Sequence, residues 1–296
     1  MKTQDQIALR MYVRAREDFQ AMRKRMDNRL GRKADGSSQK VQDKRSFALE
    51  DVENFDTVSK EAKEQEQAIV KMLRKILKRF PVYNQWLKNV KGVGEIAAGW
   101  ILGEFDIEIA TAVSKLWQYA GLNPGMVRGK KRVSKSEYKK SMGEIVVELP
   151  NPKSKGVDYI VLTDTMIRGD RPTEGFLLPY NKNLRVHLIG VMAPGFIKAQ
   201  NHYALEFYYP YKARLENETN IIQNEGKSRK DDGKVWKDVS KGHRNNAAIR
   251  YMVKCFLKDL YVAWREVEGL PVRVPYEEEY LGKKHTTKLK RTKNKK

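Results

Sequence analysis

The chain has 296 residues, a net charge of +22 and a single cysteine. This length allows one large domain or two smaller ones, and such a charge favours polyanionic partners, nucleic acid before any other. One cysteine excludes an internal disulfide, no apolar run reaches the length of a membrane span, and residues 1–6 lack the apolar core of a signal peptide. We therefore expect a cytoplasmic, nucleoid-associated protein with no membrane partner.

Residues 1–80 carry two apolar stripes at the spacing of amphipathic helices. The first stripe is followed by a polar stretch rich in Gly and Ser at residues 31–40, and the second stripe then runs from Leu49 to Phe80. The residues of the first stripe are Ile7, Met11, Ala15, Phe19, Met22, Met26 and Leu30. Two such helices joined by a loop predict an antiparallel helical hairpin. The hairpin also suits a coiled coil that joins two copies into a homodimer. The alternative is that both helices only pack on the rest of the chain.

Two glycines, Gly92 and Gly94, lie between a predicted short helix at residues 82–90 and another at residues 94–104. This pattern is typical of a helix-hairpin-helix, in which both glycines are expected to supply positive φ. The N–H groups that open the second helix, together with Lys91, predict a phosphate site. The alternative is a tight turn that serves only close helix packing. A dinucleotide-binding turn is disfavoured because no strand precedes the glycines.

Residues 81–282 are predicted to form this helix-hairpin-helix domain, with a β-hairpin inserted at about 140–170. A helix ending at Gly121 and a basic turn at residues 128–132 precede the two predicted strands, 144–149 and 158–163. Helices resume at residues 183–193 and 202–215, and the last one runs from Gly242 to Val267. Residues 283–296 hold eight Lys or Arg and no acid, which predicts a disordered basic tail. The fold class predicted is mainly α.

Residues at turns and helix starts are the candidates for contacts with nucleic-acid phosphates, which set affinity without reading sequence. They are Lys91, Gly92, Gly94, Arg128, Lys130, Lys131, Arg132, Lys241, His243 and Arg244. A crowd of aromatic residues from Tyr203 to Tyr211 has two interpretations, stacking on bases or packing in the core.

Patterns for a catalytic or metal site are not evident in the sequence. Four scattered histidines and one cysteine give no zinc-binding spacing, and the phosphate-cradling loop and the nucleophile elbow are both missing. No carboxylates stand out as ligands for a metal pair. Cys255 lies in an apolar helical pattern and is expected to be a small core residue. No cofactor or metal site is therefore predicted from the residues themselves.

Four blocks of sequence resemble, in order, the C-terminal domain of the insertion-sequence one-ten family of transposases, the bridge-RNA-guided recombinases. The blocks are Val90–Gly94, Leu116–Pro124, Pro179–Arg185 and Gly242–Ala248, the last extending to Val272. The resemblance covers roughly residues 85 to 280. It implies DNA as a partner, a guide RNA as a further partner, and a role in DNA transposition or recombination.

Two departures separate the chain from that family. Members carry an N-terminal RNase-H-like domain with four metal-binding acids, whereas helices are predicted in that place here. Members also carry a nucleophilic serine before a glycine after the second block, where this chain has Val127-Arg128-Gly129. Ser134 is the remaining candidate nucleophile, although it does not fit the motif, so the catalytic residues stay unknown. Mg²⁺ is expected only if a catalytic partner supplies the acids.

Three hypotheses of function follow from these observations. The first is a DNA-binding, transposase- or recombinase-like protein of a mobile element. The second is a non-catalytic DNA- or RNA-binding accessory protein derived from a transposase. The third is a coiled-coil scaffold whose basic tail merely adheres to nucleic acid.

Overall fold

A computed structural model of the chain describes residues 3–30, 49–151, 156–219 and 233–274. The chain divides into two compact units, Met1–Asp106 and Ile107–Lys296. Helices dominate both, and a small sheet lies in the second unit, which confirms the predicted mainly α class with an inserted β-hairpin. None of the helices in the described ranges combines the length and apolar character that a membrane span needs. The predicted basic tail, 283–296, lies outside the described residues.

The first unit begins with two long antiparallel helices. Asp5 near the start of the first bonds Arg79 beyond the end of the second (2.7 Å), and Asp27 near the end of the first bonds Ser59 (2.7 Å). The predicted helical hairpin is therefore confirmed. In chain order, the described helices of this unit are α1 (Gln4–Arg29), α2 (Leu49–Leu77), α3 (Pro81–Gln85), a 3-10 turn (Leu87–Asn89) and α4 (Glu95–Glu104).

The C-terminal half of the apolar stripe predicted for α2 is buried, whereas no member of the stripe predicted for α1 is buried. On α2 and the turn after it, the buried members are Ala62, Ile69, Leu73, Ile76 and Phe80. On α1 the buried apolar residues are Leu9 and Val13, and three stripe residues are exposed: Ile7 (48%), Met11 (67%) and Met22 (38%). The expectation for the face of α1 was therefore wrong.

The glycines of α4 explain which face of α1 is buried. A Cβ on Gly99 would lie 2.7 Å from the Val13 side chain, and one on Gly103 would lie 3.1 Å from the Arg10 side chain. Helices can approach this closely only where one of them lacks side chains. The buried Glu104 carboxylate accepts a hydrogen bond from Arg10 (3.1 Å), which adds an ion pair to the contact. The face of α1 that meets α4 is thus selected by residues that lie far along the chain.

The second unit combines a three-stranded sheet with helices. Its core is built on one long helix at the C-terminal end, against which shorter helical segments pack. The described elements are α5 (Val113–Tyr119), β1 (Met126–Ser134), β2 (Glu144–Asn151), β3 (Gly156–Arg168), α6 (Lys182–Val186), α7 (Ala193–Lys198), α8 (Tyr209–Asn217) and α9 (Lys241–Val267), with π-helical turns at His187–Met192 and Ala204–Tyr208 and 3-10 turns at Lys140–Met142 and Trp236–Asp238.

The sheet is antiparallel, with the order β1-β3-β2. The predicted hairpin corresponds to β2 and β3, but the predicted basic turn at residues 128–132 is wrong, because these residues form β1. The misleading signal is Gly129, which lies where the pairing with β3 shifts register, at a bulge. A Cβ there would lie 2.5 Å from the Phe176 ring, so glycine is needed for that ring to cover the strand.

The aromatic crowd of residues 203–211 is mostly core. Tyr203, Phe207 and Tyr208 are buried, and the Tyr203 ring contacts the Phe256 ring of α9 edge-on at 5.5 Å. Packing therefore accounts for these three rings. Cys255 is buried as predicted, and this burial raises the pKa of its thiol to about 12.

Candidate nucleic-acid interface

Four predicted phosphate-binding residues lie on β1. Side chains alternate between the two faces of a strand, so Lys130 and Arg132 share one face and Lys131 belongs to the other. The Lys131 ammonium lies 4.6 Å from the centre of the Phe176 ring. All four cations, Arg128 included, are exposed. Sequence reasoning therefore placed these residues on the wrong element, and their contact with phosphates stays a prediction.

The two arginines of β1 are held by carboxylates of β3. Arg128 pairs with Asp164 at 2.9 Å, and Arg132 pairs with Asp158 at 2.6 Å. The Asn151 amide and the Arg132 guanidinium both donate to Asp158 and lower the pKa of its carboxyl group. These two arginines therefore brace the sheet, and part of their charge is neutralised there.

Lysines supply the excess positive charge of this region. The turn after β1 adds three exposed lysines to the two on the strand, and the only acid among residues 130–140 is Glu137. We name the following set, which includes both faces of the strand and the turn after it, the β1 surface: Lys130, Lys131, Lys135, Lys139 and Lys140. An ammonium group on a flexible stem can follow the irregular path of a phosphate backbone.

Ser134, the candidate nucleophile, ends β1. Its hydroxyl donates to the Glu137 carboxylate (2.8 Å) and shares a hydrogen bond with the Ser136 hydroxyl (3.1 Å), while its carbonyl accepts from the Glu137 and Tyr138 amides. The residue therefore organises the turn that follows the strand. These contacts are those of a turn-capping serine.

Lys241, His243 and Arg244 lie in the first turn of α9, which Ser240 caps by accepting from the His243 amide (3.2 Å). Lys241 is exposed, but Arg244 is only 8% exposed. One terminal nitrogen of its guanidinium donates to three carbonyls of the preceding turn: Trp236, Lys237 and Val239, at 3.4, 2.7 and 2.6 Å. Arg244 thus fixes the turn before α9.

A cleft of about 300 Å³ opens beside α9, and we name it the α9 cleft. It combines aromatic rings with cationic side chains, and those used below are Tyr211, Trp236, His243, Arg250, Tyr251 and Lys254. Four of them lie on α9 at spacings of seven, one and three residues, so they share one side of the helix. Arg250, Tyr251, Lys254 and Trp236 are not among the candidates identified from the sequence. Arg250 and Lys254 lie at a helical spacing along the sequence, and this spacing could have identified them as a cationic face of α9.

The electrostatic balance of the α9 cleft is positive. Asp170 also lines it, but Arg168 holds that carboxylate with two hydrogen bonds, at 3.0 and 3.3 Å. The Lys254 ammonium lies 4.2 Å from the centre of the Trp117 ring. Desolvation raises the pKa of Tyr251 above its ordinary value.

Two of the four sequence blocks line this cleft, and a third contacts one of its lining residues. Gly121, from the second block, has φ +68°, and a Cβ on it would lie 2.7 Å from the ring of Tyr180, from the third. Arg185 stacks on that ring at 4.9 Å and donates to the Asp170 carbonyl. The last block supplies the start of α9, including His243. These three blocks are separated along the sequence but lie close together in the second unit.

The first block, with Lys91, Gly92 and Gly94, lies in the first unit. Gly92 has φ +96°, as expected, but Gly94 has φ −86°, so positive φ at Gly94 was wrong. The carboxylate of Glu95, the first residue of α4, accepts a hydrogen bond from its own backbone amide and pairs with Arg74 at 2.8 Å. These contacts lower the pKa of Glu95, although burial opposes them. A carboxylate therefore already lies at the helix start where phosphate binding was predicted.

Within the described ranges, no group of three His, Cys, Asp or Glu residues lies close enough to hold a metal ion. Comparisons of the whole chain with protein-family models, with curated proteins and with solved structures found no match.

Proposed function

We propose that this chain binds nucleic acid through the β1 surface and acts in DNA transposition or recombination as a transposase-like protein of a mobile element. The observation that carries the proposal is the β1 surface itself: five exposed lysines on one strand and the turn after it, with the neighbouring arginines neutralised by Asp158 and Asp164. Such a surface contacts phosphates without reading base sequence.

The meeting of three sequence blocks at and beside the α9 cleft supports the transposase-like part of the proposal. Gly121 is distant along the chain from Tyr180 and Arg185. Nevertheless, the Tyr180 ring packs against both Gly121 and Arg185. Their order along the sequence and their common location are separate observations, and a shared descent with the one-ten family accounts for both.

A binding titration tests the proposal. The full chain and a variant lacking residues 283–296 are titrated against fluorescently labelled duplex DNA of random sequence, and anisotropy is measured. We expect both to bind, with the truncated protein weaker because it has lost eight cationic side chains. Complete loss of binding on truncation would favour the scaffold hypothesis, in which the tail alone adheres.

The local geometry of Ser134 favours the second hypothesis, an accessory protein without strand-transfer activity of its own. Its hydroxyl is engaged with Glu137 and Ser136 in a capping arrangement. We expect no cleavage or strand transfer of element-end DNA in the presence of Mg²⁺ and co-purifying RNA. Turnover that disappears in Ser134→Ala but persists in Ser136→Ala would contradict the accessory role and identify Ser134 as the nucleophile.

Association of two copies through the N-terminal helices belongs to the same proposal. Ile7, Met11 and Met22 are exposed, and their spacings of four and eleven residues place them on one face of α1. A second copy presenting the same apolar face would cover them, as in a coiled coil. In light scattering, Met11→Glu should shift a dimer to a monomer, whereas Gln20→Glu, which adds the same charge on the opposite side of α1 beside Arg16, should not. A wild-type monomer at micromolar concentration would contradict this association.

A further inference from the structure

We propose that the α9 cleft binds one unpaired nucleotide of a single-stranded nucleic acid, with the base against its aromatic wall and the phosphate against its cationic wall. This inference rests on the proposed function only in taking nucleic acid as the ligand. The cleft is a separate location from the β1 surface, with different residues, so each can fail without the other.

The aromatic wall is Trp236, Tyr211 and Tyr251. The two tyrosine rings stack on each other, with centres 4.4 Å apart and planes 21° apart, and Trp236 contacts the His243 ring edge-on at 5.3 Å. All three aromatic side chains are partly exposed, unlike the buried Tyr203 nearby. Because Tyr251 and Arg214 (4.7 Å from the ring centre) both lie over the Tyr211 ring, Trp236 is the ring on which we place the unstacked base, whatever its identity.

The position of Trp236 is fixed by the protein before any ligand arrives. Arg244 is buried beneath the turn that carries Trp236 and donates to the carbonyls of Trp236, Lys237 and Val239. A side chain on a turn that is held in this way loses little freedom on binding. The buried guanidinium therefore acts through Trp236, as a positioning residue.

The cationic wall lies on α9, where Arg250 and Lys254 are four residues apart and so lie on adjacent turns of one face. The Asp170 carboxylate in the same cleft is neutralised by Arg168. A phosphate group would therefore meet net positive charge, and a planar guanidinium suits its paired oxygens.

The shape of the cleft selects a single strand. Its volume of about 300 Å³ is at the small end of ligand pockets, which suits one nucleoside. A duplex is read by elements that project into its grooves, and its bases are stacked so that their faces are covered. A concave aromatic site can receive a base only after that base has left the stack.

The test uses the full chain and labelled oligothymidylate, oligouridylate and duplex DNA, each about twelve nucleotides long. Trp236→Ala should weaken binding of a single strand by about tenfold, because stacking on one aromatic ring is lost, whereas Trp236→Phe should retain most of the affinity. Duplex affinity should change by less than about twofold, because duplex contacts are made at the β1 surface. A preference for oligouridylate or oligothymidylate would say whether the strand is RNA or DNA.

Matched variants separate stacking from charge and from misfolding. Lys254→Gln should weaken single-strand binding, and Lys258→Gln, one turn further along α9 and outside the cleft, should not. Binding of a single strand should quench the fluorescence of Trp236, so the quenching should vanish in Trp236→Phe and persist in Trp86→Phe. Circular dichroism checks that each variant is folded.

The cleft proposal is overturned if folded Trp236→Ala and Lys254→Gln both bind single strands within about twofold of the wild type, or if they lose single-strand and duplex affinity equally. The first result leaves the proposed function intact, since duplex binding would persist. The second would place the duplex contacts at the cleft and so contradict the β1 surface as the binding site. A wild-type chain that binds none of the three probes would instead overturn the proposed function.

Discussion

The turn at Gly92–Gly94 in the first unit and the β1 surface in the second both present lysines, but their neighbours differ. At the turn, the start of α4 already holds the Glu95 carboxylate, which Arg74 and the backbone stabilise. At the β1 surface, by contrast, the carboxylates Asp158 and Asp164 belong to β3, and they pair with arginines rather than with the lysines. A basic residue near a helix start is therefore weak evidence for a phosphate site until the local anion is located, because a carboxylate of the chain competes for the same donors.

Arg244→Ala should have the largest effect, and on stability rather than on phosphate contact. The change leaves three carbonyls without their charged donor and opens a buried gap, so the free energy of unfolding should fall by about 3 kcal/mol. Chemical denaturation measures it. Lys241→Ala, in the same helical turn but exposed, is the control and should leave stability within about 0.5 kcal/mol. Equal stability of the two variants would remove the distinction between a positioning cation and a surface cation.

A pair of lysine variants compares the two regions directly. Lys130→Gln/Lys131→Gln should weaken duplex DNA binding by about tenfold at moderate salt, whereas Lys88→Gln/Lys91→Gln should change it by less than about twofold. Both variants remove two exposed lysines, so the change in net charge is the same. Anisotropy titrations decide the outcome. A stronger effect of the Lys88 and Lys91 changes would restore the turn as the main phosphate site.

Gly92→Ala tests whether the turn has a structural role. Its φ of +96° is unfavourable for a residue with a Cβ, so the variant should lose about 1 kcal/mol of stability. Gly94, the N-cap residue of α4, has an extended backbone and no atom within 4 Å of a Cβ built on it, so Gly94→Ala should lose only about 0.5 kcal/mol. Duplex binding should be unchanged in both. Lost affinity without lost stability in Gly92→Ala would contradict a purely structural turn.

The smallest effect is expected from Glu95→Gln. The folded-state pKa of Glu95 lies below its ordinary value of 4.5, so its contribution is present above that pH and lost as the pH falls through the folded pKa. The pair with Arg74 is partly exposed, so the variant should be less stable than wild type by under about 1 kcal/mol near neutral pH. The difference should vanish once the pH has fallen below the folded-state pKa. A difference that grows as the pH falls would reverse the sign of the linkage.

Sequence patterns correctly predicted those elements whose form depends on residues nearby in the chain. The stripe of α2 predicted its buried face, the sequence around Gly92 predicted two helices joined by a turn, and the last helix ends close to Gly269, where φ is +66°. The face of α1 was not predictable in this way, because it is chosen by the close approach of Gly99 and Gly103.

The candidate site shows the same limit. The cations of β1 were identified, but Gly129 made the strand resemble a turn, and only the ring of Phe176 and the pairing with β3 reveal why a glycine is there. The α9 cleft joins Trp236, Tyr211 and Arg250 with a carboxylate from the end of β3. No periodicity predicts that set, because contacts distant along the chain assemble it.

The central claim is that the second unit supplies the phosphate contacts, and the salt dependence of duplex binding tests it most directly. The slope of log affinity against log salt should decrease by about 0.9 for each phosphate contact removed, so Lys130→Gln/Lys131→Gln should reduce its magnitude by nearly 2. Lys88→Gln/Lys91→Gln should leave the slope unchanged. An unchanged slope in the β1 variant, with a reduced slope in the Lys88 and Lys91 variant, would contradict the account and place the interface in the first unit.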